Sequence, residues 1–351
     1  MSVSQPPQQT LFPSPVHPPE TKSERLCSTD GGLGRASAGL AETFRHSGWR
    51  RHRSLVYASL KRVSSSLTRI NAFASCGFTA FVYRTVDPPH RYRLAGSSCH
   101  DKFCTPCARD RSRTIATNVL NHLRGRPVRF ATLTLRHSGD TLSQQLTRLY
   151  ACFSRLRARR AWKRHVVGGA AFLEIKWIER TGQWHPHIHC IVEGRYFPKQ
   201  LLSSQWHAVT GDSYVTDIRA IQDEAKISQY VVKYASKASN DTFINRAACL
   251  DTVIACCVGR RLCLTFGTWR GLRLTESPNE RDWESLGSFH EVALYAAQGD
   301  AESMAAIAMI AGSRYAEVLE AVEVARPPPI KTKPVDAQLH FQFAFDDTRP
   351  F

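Results

Sequence analysis

Hydrophobic residues in the middle of the chain follow spacings that predict both strands and helices. Residues 128–135 are mostly apolar and predict a buried strand. The next apolar positions step by four, three, four and three residues, as on one helix face, and they are Leu142, Leu146, Leu149, Phe153 and Leu156. Thr141 and Gln144 form the sequence pattern of a capping box at the start of this helix. The stripe predicts core packing.

The elements that follow complete a mixed pattern. Residues 170–178 and 184–192 predict two strands joined by a short polar turn, and residues 214–221 predict another strand. Residues 198–208 and 223–239 predict helices. The first six elements run strand, helix, strand, strand, helix, strand, which is the order of a ferredoxin-like sheet. The sequence therefore predicts an α+β fold with an antiparallel β-sheet.

Three histidines lie in the strand predicted at residues 184–192. With a period of two, His185, His187 and His189 are on one face of that strand. Neutral imidazoles on a single strand face are suited to bind a divalent metal. A His-x-His pair is also common in structural and hydrolase metal sites, so this pattern alone does not identify a reaction.

The turn between the two middle strands predicts which side chains lie opposite the histidines. If the turn centres on residues 181–182, Glu174 faces His189 and Lys176 faces His187. A carboxylate would then lie beside two imidazoles on the same face of the sheet. The prediction depends on register, because a slip by one residue would move Glu174 to the other face.

The helix predicted at residues 223–239 carries two tyrosines and two lysines. Tyr230 and Tyr234 are four residues apart, so their rings lie on the same helix face, and Lys237 shares that face. Lys233 lies between the tyrosines in sequence. Tyrosines at this spacing are often ordinary core residues. A histidine strand and a tyrosine pair in one α+β unit of a basic chain nevertheless suggest phosphodiester chemistry.

Cysteines upstream of the predicted sheet have a spacing typical of a zinc site. Cys104 and Cys107 are separated by two residues, so two thiolates can reach one ion, and Cys99 is close enough to be a third ligand. A closed site needs a fourth ligand, for which the sequence offers Cys76, His100 and His90. Free cysteines or a redox pair are the alternatives. Nearby arginines favour a small zinc-binding module that contacts DNA.

Charge indicates a polyanionic partner. The 351 residues include 47 Lys and Arg against 30 Asp and Glu, a formal net charge of +17. No apolar run approaches the length of a membrane span, and the first residues lack a signal-peptide pattern, so nucleic acid is favoured over a membrane surface. Eleven cysteines without an export signal predict reduced thiols or metal ligands. We expect a cytoplasmic protein.

Together these motifs resemble the HUH endonuclease superfamily. Residues 187–189 resemble its histidine–hydrophobic–histidine metal motif. Residues 230–237 resemble the two-tyrosine motif of its rolling-circle replication initiator (Rep) branch, which includes small-phage gene A proteins and plasmid Rep proteins. Residues 130–135 are similar to the first strand motif, and the cysteine cluster resembles the upstream motif of plasmid members. The matches cover roughly residues 95–240, in the order of the family.

The resemblance implies a metal and a reaction. His187 and His189, with Glu174 as the candidate third ligand, would bind Mg²⁺ or Mn²⁺ and polarise the scissile phosphate. Tyr234 would attack first, leaving a 5′-phosphotyrosine and a free 3′-OH that primes synthesis. Tyr230 would act in a second strand transfer, although the two roles could be reversed.

Two further features bear on the nucleophile. A phenol with a pKa near 10 is a weak nucleophile at neutral pH, so Lys237 and Lys233 are expected to stabilise phosphate or phenolate charge. Some plasmid members carry a glutamate four residues before the nucleophile, where this chain has Tyr230. A glutamate would activate water, whereas a tyrosine permits a second covalent transfer. We therefore expect behaviour like that of the two-tyrosine phage enzymes.

The implied organisation has four segments. Residues 1–70 are predicted to be a disordered and then basic region, in which the basic part is either a solvated charge run or a DNA-contacting arm. Residues 71–125 would form the zinc module and residues 126–270 the HUH endonuclease domain. Residues 271–351 would be a helical region and tail without evident chemistry.

The expected partners follow from the implied reaction. They are single-stranded or supercoiled origin DNA, a host helicase and a host polymerase, because the chain has no phosphate-binding loop of an ATP-driven helicase. Two alternatives stay open: a two-tyrosine transposase of an insertion sequence, and a non-catalytic zinc regulator that binds DNA. A metallohydrolase barrel is disfavoured because the strands and helices do not repeat as a barrel requires.

Overall fold

The computed structural model describes residues 33–221, 223–235, 242–276 and 282–324. Its helices are α1 (Leu33–His46), α2 (Arg50–Val63), α3 (Leu67–Ala74), α4 (Thr105–Leu123), α5 (Leu142–Ala158), α6 (Arg160–His165), α7 (Lys199–Thr210), α8 (Glu224–Ala235), α9 (Ala247–Cys256), α10 (Phe289–Ala297), α11 (Ala301–Ala311) and α12 (Tyr315–Val324). Its strands are β1 (Ala80–Thr85), β2 (Tyr92–Gly96), β3 (Val128–Thr134), β4 (Val166–Ile178), β5 (Gln183–Gly194), β6 (Thr216–Ile221), β7 (Cys263–Gly267) and β8 (Trp283–Ser288).

The larger sheet has the strand order β6-β3-β5-β4-β7, and all its neighbouring strands are antiparallel. The succession β3, α5, β4, β5, α7, β6 gives the predicted β-α-β-β-α-β unit, and β7 extends the sheet beyond β4. The capping box of Thr141 and Gln144 begins α5 as predicted. The predicted α+β class with an antiparallel, ferredoxin-like sheet is confirmed.

Both faces of this sheet are covered by helices, and alternation along β5 assigns its side chains to them. Ile188 belongs to the core formed with α5, α7 and α9. Ile191 belongs to the second core, to which α4 contributes Val119 and α8 contributes Val231. Since successive side chains on a strand point to opposite faces, His187 and His189 share the face of Ile191. The histidines therefore lie under α8, the helix that carries Tyr230 and Tyr234 (the tyrosine helix).

The hairpin of β4 and β5 corrects the predicted register. Glu174 pairs with His187 rather than His189, and Lys176 pairs with His185. The turn has four residues because Gly182, at φ +62°, donates its N–H to the carbonyl oxygen of Ile178 at 2.9 Å. The shift is two residues, so every side chain keeps its predicted face.

A smaller sheet joins two distant parts of the chain. Its order is β2-β1-β8, so β8 near the C-terminal end pairs with β1 near the N-terminal end. Helices α10 and α11 pack on it, α12 packs on α10, and together they form a separate core. These helices lie in the region expected to be helical, residues 271–351, but that expectation overlooked β8. The division of the chain into four segments stays a prediction.

The N-terminal basic region is helical where the structure describes it. Residues 1–32 lie outside the described residues, but α1, α2 and α3 show that the basic part is folded and is not simply a solvated charge run. Its role as a DNA-contacting arm stays a prediction. Val56 and Leu60 of α2 are fully buried, and Arg53 donates to the carbonyl oxygens of Phe73 and Ala74 at 2.9 and 2.7 Å. Among the described helices, none is both long enough and apolar enough to span a membrane.

Candidate active site

Three buried side chains from the hairpin converge on one point. Glu174 on β4 and His187 and His189 on β5 are 1%, 6% and 5% exposed. Their candidate ligand atoms all lie within 4.8 Å of one another. Glu174 Oε2 is 2.5 Å from His187 Nε2 and also contacts His189 Nε2. The structure thus brings together the carboxylate and the two imidazoles that the sequence proposed as metal ligands.

Neighbouring groups turn both imidazoles toward Glu174. His187 Nδ1 lies 3.1 Å from the carbonyl oxygen of His185, so it donates its proton there and leaves a lone pair on Nε2. Thr132 Oγ1 lies 3.1 Å from His189 Nδ1, and this contact likewise orients Nε2 of His189 toward Glu174. Burial, then His187, Lys176 and Lys233, lowers the pKa of His189 to about 2, which keeps it neutral.

These contacts form a donor set that fits a divalent cation. A lone pair on an imidazole nitrogen and a carboxylate oxygen repel each other at 2.5 Å unless a positive charge lies between them. Two neutral imidazoles and one carboxylate supply ligand types that proteins use for divalent ions. Glu174 Oε1 is 3.6 Å from Lys176 Nζ, so the lysine contacts the other oxygen of the carboxylate.

His185 has a different environment from the other two histidines. Its ring centroid is 4.1 Å from that of His137 and 5.4 Å from that of His187. Burial, followed by the neighbouring His137, His187 and Lys176, lowers the pKa of His185 to about 4. Among the described residues, the group of converging ligand atoms on this sheet contains Glu174, His187 and His189 and not His185.

The tyrosine helix α8 packs directly over the histidines. The ring centroids of Tyr234 and His189 are 3.7 Å apart, and the parallel rings of Tyr230 and Tyr234 are 6.2 Å apart. Phe130 on β3 stacks with both tyrosines, at 4.6 and 5.0 Å, and with His189 at 5.4 Å. Phe130 thus links the tyrosine pair to the histidine strand.

The surroundings of Tyr234 keep its phenol protonated. Burial and then Tyr230 raise the pKa of Tyr234, and Arg219 works in the opposite direction. Lys233 Nζ lies 5.3 Å from the centroid of the Tyr234 ring. Lys237, the other lysine that the sequence assigned to this site, lies outside the described residues.

A second convergent group is formed by four cysteines. The sulfur of Cys76 is 3.8 Å from that of Cys104 and 3.5 Å from that of Cys107, and Cys99 is 3.7 Å from Cys107. Four sulfurs around one zinc at about 2.3 Å define a tetrahedron with edges of about 3.8 Å. No disulfide joins them. The donor set therefore fits a closed tetrahedral metal site.

The position of Cys76 favours it over the two histidines that the sequence also offered as a fourth ligand. Cys76 immediately precedes the smaller sheet and completes the group, whereas neither His90 nor His100 belongs to it among the described residues. His90 instead contacts the carbonyl oxygen of Thr85 at 2.9 Å through Nδ1. Arg45 lies beside the cluster, with Nη2 3.5 Å from the sulfur of Cys107.

Comparison with known proteins identifies the family. A family model described as "Replication protein" matches residues 91–288, more than half of the chain. The chain belongs to this replication protein family. The match includes the histidine strand, the tyrosine helix and three of the four cysteines. The expected relationship to rolling-circle replication initiators is thereby confirmed, while placement in the two-tyrosine branch stays a prediction.

A curated relative points in the same direction. The "Protein rep" of Streptococcus pneumoniae serotype 2 (strain D39 / NCTC 7466) is 26% identical to the chain over 158 residues. The alignment covers 42% of this chain and 46% of that protein, so the chain spans less than half the length of this relative. No solved structure matches the chain.

Sequence reasoning missed several residues that shape the site of this replication protein. Thr132 orients His189, His137 packs against His185, and Arg219 affects the phenol of Tyr234. Phe130 was noticed only as part of a strand motif. Its alternation on β3 with the neighbouring apolar residues could have indicated which face it occupies, but not that it contacts three other rings.

Proposed function

We propose that this replication protein initiates rolling-circle replication by nicking one strand of origin DNA. The observation that carries the proposal is the contact of Tyr234 with His189, at 3.7 Å between ring centroids. It brings a candidate nucleophile beside a candidate metal ligand. Membership of the replication protein family supports the biological role and favours replication over transposition.

A divalent ion, Mg²⁺ or Mn²⁺, would be held by Glu174, His187 and His189. When bound, it supplies Lewis acid stabilisation of the charge that develops on the scissile phosphate. Thr132 and the carbonyl oxygen of His185 fix the two imidazoles before DNA binds, so little reorganisation is needed. All three side chains are buried.

Tyr234 is the proposed first nucleophile because it is the tyrosine that contacts His189. Its phenolic oxygen forms a bond to phosphorus, and the bond from phosphorus to the 3′ oxygen breaks. The phenol loses its proton and the 3′ oxygen gains one, which leaves a 5′-phosphotyrosine and a free 3′-OH. Burial raises the pKa of Tyr234, so the phenol is protonated at neutral pH before the reaction.

Tyr230 is proposed to perform the second strand transfer. It lies one helical turn before Tyr234 with its ring parallel, and Phe130 supports both rings. The reverse assignment of the two tyrosines is the alternative. Lys233 is proposed to stabilise phosphate charge close to Tyr234, and Lys237 is proposed for the same role on the basis of its position in the sequence.

The cysteine cluster is proposed to bind a structural Zn²⁺. Four thiolates leave no open coordination position, so the ion would stabilise the fold without taking part in the reaction. Single-stranded or supercoiled origin DNA is the proposed substrate. A host helicase and polymerase would separate the strands and extend the 3′-OH, in a cytoplasmic setting that keeps the thiols reduced.

The decisive experiment is detection of a covalent protein–DNA adduct. Purified protein is incubated with Mn²⁺ and single-stranded fragments that tile the replicon carrying the gene, and adducts are resolved on denaturing gels. We expect one fragment to give an adduct with the wild-type protein and none with Tyr234→Phe. Tyr295→Phe, at an exposed tyrosine of α10, is the matched control and should react normally. No adduct on any fragment would contradict the nicking function.

A further inference from the structure

A cavity of about 300 Å³ lies between the N-terminal helices and α4, away from the tyrosines. The loop that joins α1 to α2 lines one side, and β2 and the end of α11 line the others. The first turns of α4, which contain Cys107 of the cysteine cluster, line another side. Arg45 connects the two features, because its guanidinium reaches both Cys107 and Asp110.

The cavity is strongly basic. Four arginines line it, and among the described lining residues Asp110 is the single carboxylate; the arginines are Arg45, Arg109, Arg113 and Arg314. Arg45 pairs with Asp110 at 2.9 Å and Arg314 pairs with Glu317 at 3.0 Å, so two of the four arginines already contact a carboxylate. Burial and the like charge of Arg109 both lower the pKa of Arg113. Guanidinium groups gathered around one cavity are stabilised by an anion that lies between them.

One wall of the cavity is aromatic. Trp49 is half-buried, and the guanidinium carbon of Arg109 lies 5.8 Å from its ring centroid. Arg109 itself is exposed, so it stands at the mouth of the cavity. An indole ring with an exposed guanidinium group over its face suits a ligand that carries both a flat ring and a phosphate.

We infer that this cavity binds one nucleotide of a DNA strand, with the base stacked on Trp49 and the phosphate held by Arg109 and Arg113. The ligand rests on the proposed function, because a replication initiator handles single-stranded DNA. Helix α4 extends from the cavity to the tyrosine helix α8, and Val119 of α4 belongs to the same hydrophobic core as Val231 of α8. Ten residues separate Arg109 from Val119, which is about 15 Å along the helix. One strand could therefore contact both places.

The cavity is small for a longer segment, and its chemistry does not select a particular sequence. Its volume is at the lower end for ligand pockets, which suits one nucleotide. Stacking on an aromatic ring tolerates any base, since every base has a flat face. The cavity would therefore anchor the strand near the nicking site and add affinity rather than sequence specificity.

The test measures binding of a labelled single-stranded oligonucleotide by fluorescence anisotropy, without added Mg²⁺ or Mn²⁺, over a range of salt concentrations. Arg109→Gln should weaken binding about 3- to 10-fold and lower the salt dependence by about one phosphate contact. Trp49→Leu should weaken binding by a similar factor without changing the salt dependence, since stacking involves no counterion release. Arg51→Gln, at an exposed arginine of α2 outside the cavity, is the charge-matched control.

Equal binding by Arg109→Gln and Arg51→Gln would overturn the inference, because a general charge effect would then suffice. Thermal unfolding of each variant checks that the fold is retained; if Trp49→Leu unfolds, the comparison of the two arginine variants decides. Titration with dTMP separates a free nucleotide from a DNA strand. Binding of dTMP that is lost in Arg109→Gln while oligonucleotide affinity stays unchanged would overturn the strand as ligand.

The test of the cavity can be distinguished from the test of the nicking function. Adduct formation is measured in parallel with the wild-type protein and Arg109→Gln at saturating oligonucleotide. No adduct with the wild-type protein would contradict the proposed function and leave the binding comparison intact. Normal adduct formation together with unchanged binding by Arg109→Gln would contradict the cavity inference alone.

Discussion

The two candidate metal sites of this protein differ in every property that decides what a bound ion can do. The cysteine cluster offers four sulfurs, from Cys76, Cys99, Cys104 and Cys107, and so closes a tetrahedron. The sheet site offers two nitrogens and one oxygen, so a divalent ion held there would keep further coordination positions for substrate. Soft thiolates favour zinc, whereas a site with a carboxylate and open positions suits an ion that must also contact substrate.

Their surroundings differ in the same direction. Cys99 and Cys104 lie in the loop before α4 and Cys107 in its first turn, whereas Cys76 lies between α3 and β1. The cluster therefore connects the end of the N-terminal helices to α4. The sheet site lies under α8, with Tyr234 against one of its ligands. We therefore propose a structural role for the cluster and a catalytic role for the sheet site, where Tyr234 lies against a candidate ligand. This difference predicts opposite responses to removal of a ligand.

The largest effect is expected from Cys104→Ser. Removal of one thiolate should release the zinc, and because metal binding at such sites contributes directly to folding, the free energy of unfolding should fall by more than about 4 kcal/mol. Elemental analysis for zinc and thermal unfolding measure both consequences. Cys249→Ser, on α9 and outside the cluster, is the control and should retain both zinc and stability. A stable, folded Cys104→Ser protein would remove the distinction between the two sites.

The next effect is expected from Glu174→Gln, which keeps the shape of the side chain and removes its charge. Adduct formation should fall at least about 100-fold, since the donor set loses its carboxylate. Mn²⁺ at 100 times its Kd should stabilise the wild-type protein by about 2.7 kcal/mol, and this stabilisation should disappear in the variant.

Zinc content should stay unchanged in Glu174→Gln. This variant should therefore lose the effect of Mn²⁺ and keep its zinc, whereas Cys104→Ser should lose its zinc. The measurements are Mn²⁺-dependent thermal unfolding, adduct yield and elemental analysis on the same preparation. If Mn²⁺ stabilises Glu174→Gln as much as the wild-type protein, Glu174 is not a ligand.

The prediction of the sheet site depended on the two-residue period of a strand, and this period makes the predicted faces insensitive to a register error of two residues. The turn is two residues longer than expected, yet Glu174 still faces the histidines, because a two-residue shift preserves the face of each side chain. The shared face of Tyr230 and Tyr234 was predictable from helical spacing. That this face meets His189 was not, because packing of α8 on the sheet depends on contacts between residues far apart in the chain.

The cysteine cluster and the smaller sheet show where sequence spacing stops being informative. Cys104 and Cys107 are a local pair, but Cys76 lies far enough upstream that spacing could not choose it over His90 or His100. Strand β8 was overlooked for a similar reason, since its partner β1 is about two hundred residues earlier. The helices of the N-terminal region were missed because its many arginines resemble a solvated charge run. In α2, the guanidinium group of Arg53 instead donates hydrogen bonds to two carbonyl oxygens of α3.

The smallest effect tests whether the open site also depends on a side chain without reactive chemistry. Phe130 contacts His189 and both tyrosines, so Phe130→Leu should let the tyrosine rings shift relative to the ligands. A small misplacement of a reacting group lowers the rate of the chemical step, here by about 10-fold, without removing any functional group. The first-order rate of adduct formation at saturating DNA and Mn²⁺ should fall, while Mn²⁺ binding and zinc content stay unchanged.

Phe153→Leu removes a similarly buried ring from the opposite face of the sheet and is the control for lost stability. If both variants slow the reaction equally, general softening of the core explains the effect; a slower reaction in Phe130→Leu alone identifies Phe130 as the positioning residue of the tyrosine pair.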